Sequence, residues 1–354
     1  VGLSADANRS GRGEGASAGQ LQLGVQASWE VDVWGRIRSG QKAAVSSAEA
    51  VEADVRAARQ SLAAGVATAY FIVIEANAQE DLAGSIVESL TEIERITQVR
   101  ADNGLATAQD LALIQADLAT AREQLTAVGG SRREAMRSLE VLLGRYPAAN
   151  VETRRILPEP PAQPPAGLPS GLLERRPDLI AAERRIAASI AGVNQAKAAK
   201  LPQISLTADV GGASNQLSNM LDPANIAWKT ASSLLVPIID GDALDQQVIA
   251  SQAEQSQAVA AYAQAALNAF QDVEGSLDQT GVLSARRRDL EIALSAAQEA
   301  LRIAQLRYEA GESDLIDVLT VRQRVDSTES NLLNVKRVQL ANFASLNLAL
   351  GGAW

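Results

Sequence analysis

Two stretches of the chain alternate apolar and polar residues with a period of two. From Leu21 to Val33 the odd positions are apolar, and the even positions are polar or Gly. The same alternation recurs from Ile204 to Val210, and a less regular version covers 226–238. This period predicts β-strands with one apolar and one polar face. Gly- and Ser-rich turns are expected between paired strands, at about 8–20 and 211–219.

Longer stretches show the spacing of helices. Residues 38–102 contain no Pro, and as one helix they would reach on the order of 90 Å at about 1.5 Å per residue. Residues 106–143 carry apolar positions in alternating steps of three and four, and so does the chain after Gly311. Such seams are typical of helices packed side by side, as in coiled coils. Gly104 and Gly311 favour a chain reversal, because Gly tolerates positive φ where a helix ends.

The two halves of the chain repeat one another. Residues 100–144 match residues 307–351 at a constant offset, and each copy is predicted to contain strand, strand, long helix, Gly turn and long helix. The second copy has an additional helix before its strands, so we expect a corresponding helical segment and any targeting signal to precede Val1 in the native precursor. The matched pairs are Arg100 with Arg307, Gly104 with Gly311, Asp110 with Asp317, Leu118 with Val325, Leu125 with Leu332, and Leu139 with Leu346.

The predicted organisation follows from these elements. The segment between the copies is rich in Pro and reads as an extended linker, since Pro cannot continue a helix. The expected divisions are strands over 1–36, a helical hairpin over 37–145, a linker over 146–176, a helix over 177–200, strands over 201–240 and a second hairpin over 241–354.

Composition narrows the functional classes. The 354 residues carry a net charge of −10 and only 3% aromatic residues, which favours long packed helices over a compact core. Cys and His are absent, so thiolate nucleophiles, imidazole bases and the usual zinc ligands are excluded. No basic patch points to nucleic acid, and no cofactor is expected. No apolar run approaches the roughly 18–20 residues of a transmembrane helix.

The strand count predicts an oligomer. Four strands with one apolar face are too few to close a barrel, whereas three chains would supply twelve. An open sheet edge is costly in lipid, so closure with sister subunits is the physical solution. The long helices would extend the barrel as a hollow tube in the aqueous compartment. The predicted fold class is therefore an α+β membrane protein.

Three motifs resemble those of the TolC-like outer-membrane efflux proteins, especially the lipoprotein subgroup that serves resistance-nodulation-division (RND) pumps. They are the segment from Trp29 to Arg36, the segment from Gly167 to Leu179, and the Arg-Tyr-Glu-Ala-Gly turn at 307–311. The resemblance implies a homotrimer with a twelve-stranded β-barrel in outer-membrane lipid, continued by a periplasmic α-helical barrel. It also implies a periplasmic adaptor, an inner-membrane RND-type transporter, passive exit of drugs, metals or other small molecules, and a lipid-modified Cys in the native precursor.

The resemblance also implies a narrow periplasmic tip, often with an acidic ring. Asp314 and Asp317 are the channel-constriction candidates here, with Asp110 as the repeat counterpart of Asp317. Three carboxylates around a pore would repel anions and hold cations. The plainer interpretation is helix capping, because acids suit the first turn of a helix. The family's acidic residue often lies one turn later, where this chain has Thr320.

Further candidates flank the turns and lie on the strands. Arg100, Arg307 and Tyr308, together with Gly104 and Gly311, are candidate tip contacts that could pair with acids of neighbouring hairpins. Ordinary solvated helix ends explain the basic residues equally simply. The strand tryptophans are candidate membrane-interface residues, although plain barrel packing also fits them. They are Trp29, Trp34 and Trp228.

Three other functions remain open at this point. A periplasmic adaptor or coiled-coil scaffold would carry one helical hairpin, whereas this chain has two matched hairpins. An exit duct for type I protein secretion is hard to separate from a drug-efflux duct by sequence. An enzyme is not favoured, because the acidic pairs accompany no nucleophile.

Overall fold

The computed structural model describes residues 1–10, 18–161, 175–219 and 222–352. Residues 11–17 of the predicted first turn and 162–174 of the linker lie outside the described residues. The predicted duplicated order of strands and helices is confirmed. The strands are β1 (Gly2–Ser10), β2 (Ala18–Val31), β3 (Gln203–Ser214) and β4 (Ile226–Leu235), and the helices are α1 (Arg36–Asp102), α2 (Ala108–Leu142), α3 (Pro177–Ala199), α4 (Ala243–Ala310) and α5 (Leu315–Ala349).

The chain divides into two compact units. The sheet unit contains the four strands, α3 without its first turn, and the ends of α1 and α4 next to the strands. The helical unit contains the remainder of α1 and α4 with α2 and α5. Their bounds are Val1–Glu52 with Ala181–Gln264 for the sheet unit, and Ala53–Ile180 with Ala265–Trp354 for the helical unit.

The sheet is antiparallel, with spatial order β1-β2-β3-β4. Trp29 lies opposite Leu206, and Val210 lies between Val25 and Trp228. Directly opposed residues share a face of a sheet, so these side chains form one apolar face. That face is uncovered, because Trp29 is 63% exposed and Trp228 is 77% exposed.

The opposite face of the sheet is polar. Gln26 on β2 lies opposite Asp209 on β3, and Asp209 lies opposite Lys229 on β4. The outer strands β1 and β4 each have one strand partner among the described residues. The sheet therefore presents an apolar face, a polar face and two open edges.

Within the helical unit, the predicted seams are buried. Ile114 and Leu118 of α2 and Val325 and Leu332 of α5 are all at most 6% exposed. Polar contacts join α1 to α5 as well: the Arg337 guanidinium donates to Glu75 at 2.7 Å. The packing of both hairpins therefore combines apolar seams with a charged link between the two repeats.

One helix of the described chain, α1, has an 18-residue window with a mean hydropathy of 1.4, long and apolar enough to cross a membrane. The expectation that no apolar run approaches this length is therefore wrong. A packed helical bundle produces the same signal, and in this unit Val73 of α1 is buried against Met136 and Leu139 of α2.

Residues 146–161, here called the strap, have no regular secondary structure but are anchored to three helices. Buried Glu140 of α2 accepts hydrogen bonds from the backbone N–H groups of Ala149 (2.7 Å) and Asn150 (2.9 Å). Farther along, Asn77 of α1 donates to Thr153, and Arg287 of α4 pairs with Glu159 at 2.6 Å. The linker is thus a fastened strap rather than a loose connection.

Arg176 explains the Arg-Pro-Asp motif at the start of α3. Its side chain forms two hydrogen bonds to Asp178, contacts Asp272 of α4 at 3.2 Å and donates to the carbonyl of Ala349 at 3.1 Å. The last contact satisfies a carbonyl at the end of α5, which has no partner within its own helix. The motif therefore joins the start of α3 to the end of α5 and to the middle of α4.

We predict that Gly211→Ala destabilises the sheet. An added Cβ would lie 2.5 Å from the carbonyl oxygen of Leu23 and 2.7 Å from Cα of Gly24, so β2 and β3 would have to separate. Overpacking of this kind costs about 1–3 kcal/mol. Thermal unfolding of the detergent-solubilised protein measures the effect. Gly84→Ala is the control, because an added Cβ there meets no atom within 4 Å; equal stability of the two variants would contradict the prediction.

We also predict that Glu140→Gln loosens the strap. The N–H of Asn150 lowers the pKa of Glu140 against the opposing effect of burial, and the N–H of Ala149 adds to it. A lowered pKa in the folded state means that the carboxylate stabilises the strap at neutral pH, and that this contribution is lost as the pH falls through the lowered value.

Amide hydrogen exchange at Ala149 and Asn150 tests this prediction. The protection factors of these amides, which correct for the slower intrinsic exchange in acid, should fall in Glu140→Gln at neutral pH and in the wild type in acid. Glu134→Gln is the matched control, because Glu134 is exposed and its one ion pair among the described residues is with Arg137 on its own helix. Unchanged exchange in Glu140→Gln would show that other contacts hold the strap.

Candidate functional site: the hairpin ends

Both hairpins of the helical unit turn through the same backbone motif. Gly104 has φ of 71° and Gly311 has φ of 77°, the left-handed region that favours Gly. The N–H of Gly104 donates to Ala101, and the N–H of Leu105 donates to Arg100. This pair of bonds is the Schellman motif, which satisfies carbonyls at a helix end. Gly104 and Gly311 are therefore required by the reversal itself.

The helix that follows each turn begins differently. In the first hairpin, the Thr107 hydroxyl accepts from the N–H of Asp110 at 3.1 Å, and the Asp110 carboxylate accepts from the N–H of Thr107 at 2.8 Å. This is a capping box. In the second hairpin, Asp314 occupies the N-cap position of α5 but makes no side-chain capping bond. The carboxylate of Asp110 is engaged locally, whereas that of Asp314 is not.

Asp317 lies in the first turn of α5, at the position that matches Asp110. Its side chain and that of Asp314 are both exposed, and neither forms an ion pair within the described chain. Thr320, one turn later, is also exposed and donates its hydroxyl hydrogen to the carbonyl of Ile316 at 2.7 Å. The end of the second hairpin thus carries two solvated carboxylates.

Tyr308 joins the ends of the two hairpins. It is 8% exposed, and its hydroxyl lies 3.2 Å from the hydroxyl of Thr97 on α1. Arg100 donates to the Tyr308 carbonyl at 2.8 Å, and its guanidinium lies 4.6 Å from the centre of the Tyr308 ring. Arg307, the repeat counterpart of Arg100, is exposed and makes no ion pair in the part of the chain that the structure describes.

Tyr308 also belongs to a buried apolar cluster at the hairpin ends. Its members come from all four helices of the unit, and Leu315 and Ile114 are at most 1% exposed. The cluster fixes the two turns side by side within one chain. The buried members are Leu90, Ile114, Leu118, Tyr308, Leu315 and Val318.

Two of these residues, Thr97 and Thr107, were not found from the sequence. Thr97 gave no local signal, because its partner Tyr308 is 211 residues away. Thr107 did have one: the spacing Thr-x-x-Asp at 107–110 before an apolar run is the capping-box pattern. Within the described chain Arg100 contacts the carbonyl and the ring of Tyr308, and its pairing with acids of neighbouring hairpins stays a prediction.

The three candidate tryptophans lie in the sheet unit. Trp29 and Trp228 lie on the apolar face, four positions apart along β3 by their partners Leu206 and Val210, which is about 14 Å. Trp34 follows β2 and is 52% exposed, and its indole N–H donates to the carbonyl of Pro202 at 2.8 Å. Trp29 and Trp228 are therefore more than half exposed on the apolar face.

Comparison with known proteins places this architecture in a family. Residues 1–145 and 168–352 match the family described as outer membrane efflux protein. The pyoverdine export outer membrane protein OpmQ of Pseudomonas aeruginosa is 30% identical over 94% of this chain and 70% of its own length. The toluene efflux pump outer membrane protein TtgF of Pseudomonas putida is 29% identical over 98% of this chain and 72% of its own.

A solved structure agrees with these relatives. The MtrE outer membrane channel of Neisseria gonorrhoeae, in its open state, is 29% identical and superposes with a TM-score of 0.85. The match covers 99% of this chain and 80% of that one. The likeness therefore extends over the strands and both helical hairpins.

We predict that Arg100→Ala loosens the hairpin ends and that Arg307→Ala does not. Loss of the guanidinium removes one hydrogen bond and one cation–π contact, together worth about 1–2 kcal/mol. Hydrogen exchange at the amides of residues 100–105 and 308–312 measures the loosening. The two substitutions occupy equivalent repeat positions, so the second controls for charge and helix propensity; equal effects would contradict a special role for Arg100.

Proposed function

Because the chain belongs to the outer membrane efflux protein family, we propose that its homotrimer is the passive exit duct through which a tripartite pump releases small molecules such as drugs. The chain is an outer-membrane channel component of an efflux system, and it extends into the periplasm. Its partners are a periplasmic adaptor and an inner-membrane RND-type transporter, which supplies the energy. A lipid anchor on the native precursor stays a prediction.

The open sheet carries this proposal. Its apolar face is exposed, and β1 and β4 each have one free edge among the described strands. Lipid tolerates an apolar face but not unpaired backbone groups, so the edges must pair with strands of other copies. Three copies of a four-stranded sheet supply twelve strands, enough to close a barrel around the polar face.

The strands also suit a membrane in length and side chains. β2 has 14 residues and β3 has 12, and about 9–11 residues cross a bilayer as a tilted strand. Trp29 and Trp228 on the apolar face then contact lipid near the membrane interfaces, where Trp is enriched. Trp34 is the third interface candidate, held in place through its bond to Pro202.

The chain has no enzymatic activity under this proposal. It contains no Cys and no His, and the exposed acids at the hairpin ends accompany no activated nucleophile among the described residues. Under this proposal the chain lines a channel. The exposed carboxylates at the hairpin ends can then interact with a solute that passes through the channel.

We propose that Asp317 and Asp314 form acidic rings at the periplasmic end of the duct. In a trimer each position supplies three carboxylates, and the side chains of both are exposed without ion pairs in the described chain. Asp110, the third constriction candidate, differs because its carboxylate is bound in a capping box. A ring of free carboxylates attracts cations and repels anions.

We predict cation-selective pores for the full-length protein in planar bilayers. Asp317→Ala should raise the conductance or weaken the selectivity, measured from the reversal potential in a salt gradient, because three charges leave the narrow end together. Asp314→Ala should act in the same direction. Asp110→Ala is the matched control, and it should lower stability by about 1 kcal/mol through its capping box with little change in selectivity.

The possible outcomes distinguish the proposed acidic rings from the proposed channel. Unchanged currents in Asp317→Ala and Asp314→Ala would remove both residues from the constriction but leave the duct intact. Absence of any pore from the purified wild type would count against the channel itself.

A further inference from the structure

Two successive positions interrupt the apolar seam of α5. Its steps of three and four run from Leu332 and Val335 through Gln339 and Asn342 to Leu346. Positions with this spacing face a neighbouring helix. A polar side chain there needs hydrogen-bond partners, because a buried polar group without one costs free energy. The two polar residues therefore require an explanation that the proposed duct does not supply.

Asn342 is explained by its contacts with α4. Its side-chain amide donates to the carbonyl of Ser276 and to the hydroxyl of Thr280, both at 2.9 Å. The Thr280 hydroxyl in turn donates to the Ser276 carbonyl at 2.8 Å. Both amide hydrogens of Asn342 are therefore used in holding α5 to α4.

Gln339 has no equivalent explanation. Its Oε1 atom is buried and accepts no hydrogen bond from the described residues. The repeat counterpart of Gln339 in α2 is Arg132, which forms an ion pair with Glu80 of α1 at 2.9 Å. The polar residue at this seam position thus has a partner within the chain in the first copy, whereas in the second copy an acceptor stays open.

Gln339 lines a cavity of about 120 Å³ between α4, α5 and the strap. The strap reaches the cavity through Pro160 and Pro161, which follow Glu159. Arg287 of α4 holds Glu159 by a two-point contact at 2.6 and 3.0 Å. The apolar lining residues are Pro160, Pro161, Leu283, Phe343 and Leu346. A molecule inside this cavity would be an available partner for the buried Gln339 oxygen.

The lining favours an organic molecule over ordered water. A buried water typically makes about three hydrogen bonds. The Ser284 hydroxyl in the lining donates to the Thr280 carbonyl at 2.7 Å, and the donors of Thr280 and Asn342 are also used. Water would therefore find few free partners here. An apolar cavity of about 150 Å³ binds benzene, so the present volume suits a molecule with a single ring.

We propose that this cavity, here called the strap pocket, binds a small apolar molecule that carries one hydroxyl donor and has about the size of phenol. The apolar part packs against Leu283, Phe343 and Leu346, and the hydroxyl donates to Oε1 of Gln339. Because Pro160 and Pro161 also line the pocket, the bound molecule fastens the strap to α4 and α5. The site belongs to the helical unit alone, so the inference does not depend on the duct.

Hydrogen exchange of the strap amides in the detergent-solubilised full-length protein tests the proposal. The probes are phenol, benzene, which has no donor, and anisole, which has an oxygen without a hydrogen. A ligand that binds only the closed strap slows exchange by the factor 1 + [L]/Kd, so the concentration dependence gives the affinity of each probe. Uptake by detergent is measured on protein-free micelles and subtracted.

Phenol at ten times its Kd should slow exchange of the wild-type strap about tenfold. Benzene and anisole should bind about fivefold more weakly, because neither can donate the hydrogen bond to Gln339.

Gln339→Leu should reverse this preference. Benzene should then bind better than phenol, because burial of a hydroxyl without an acceptor is costly. Gln323→Leu is the matched control: it makes the same chemical change at an exposed position of α5 and should keep the wild-type preference.

Three results would overturn the inference. Absence of strap protection by phenol in the wild type would show that the cavity holds water only. Equal affinities for phenol and anisole would remove Gln339 as the acceptor, and so would a retained preference for phenol in Gln339→Leu. The comparison of the three probes on the wild type decides the matter even where the variant does not assemble.

Discussion

The backbone groups along the free edges of β1 and β4 impose the constraint on which the rest of the protein depends. β4 is exposed along all ten of its residues, and the apolar face beside it is uncovered. In hydrocarbon each unpaired N–H or C=O costs several kcal/mol. The edges of the sheet unit therefore cannot be satisfied by their own chain in a membrane.

The two repeats keep the same chain reversals but use different side chains around them. Gly104 and Gly311 form the same turn, as their positive φ angles require. Around it, the first copy engages its side chains: Thr107 and Asp110 cap a helix, and Arg100 holds Tyr308. The second copy leaves Arg307, Asp314 and Asp317 exposed. The two copies therefore share the turn, but the charges beside it are bound in the first copy and exposed in the second.

The sequence predicted the elements well where the signal is local. The period of two from Leu21 to Val33 and the seam through Ile114 and Leu118 correspond to a strand and to a buried helix face. Contacts between distant residues were out of reach. The bond between Thr97 and Tyr308 joins separate repeats, and Pro-rich composition indicates an extended strap without revealing that Glu140 anchors it. The free state of Asp317 could not be inferred either, because the same residue type at Asp110 is bound.

The open edges of the sheet have a genetic consequence. Each β1 must pair with a β4 of another copy. One chain with a damaged edge strand, called faulty below, therefore prevents closure of the whole trimer that contains it. When normal and faulty chains are made in equal amounts and mix at random, only about one trimer in eight is free of the faulty kind. Alleles that damage an edge strand but still allow incorporation should therefore be dominant over the intact gene.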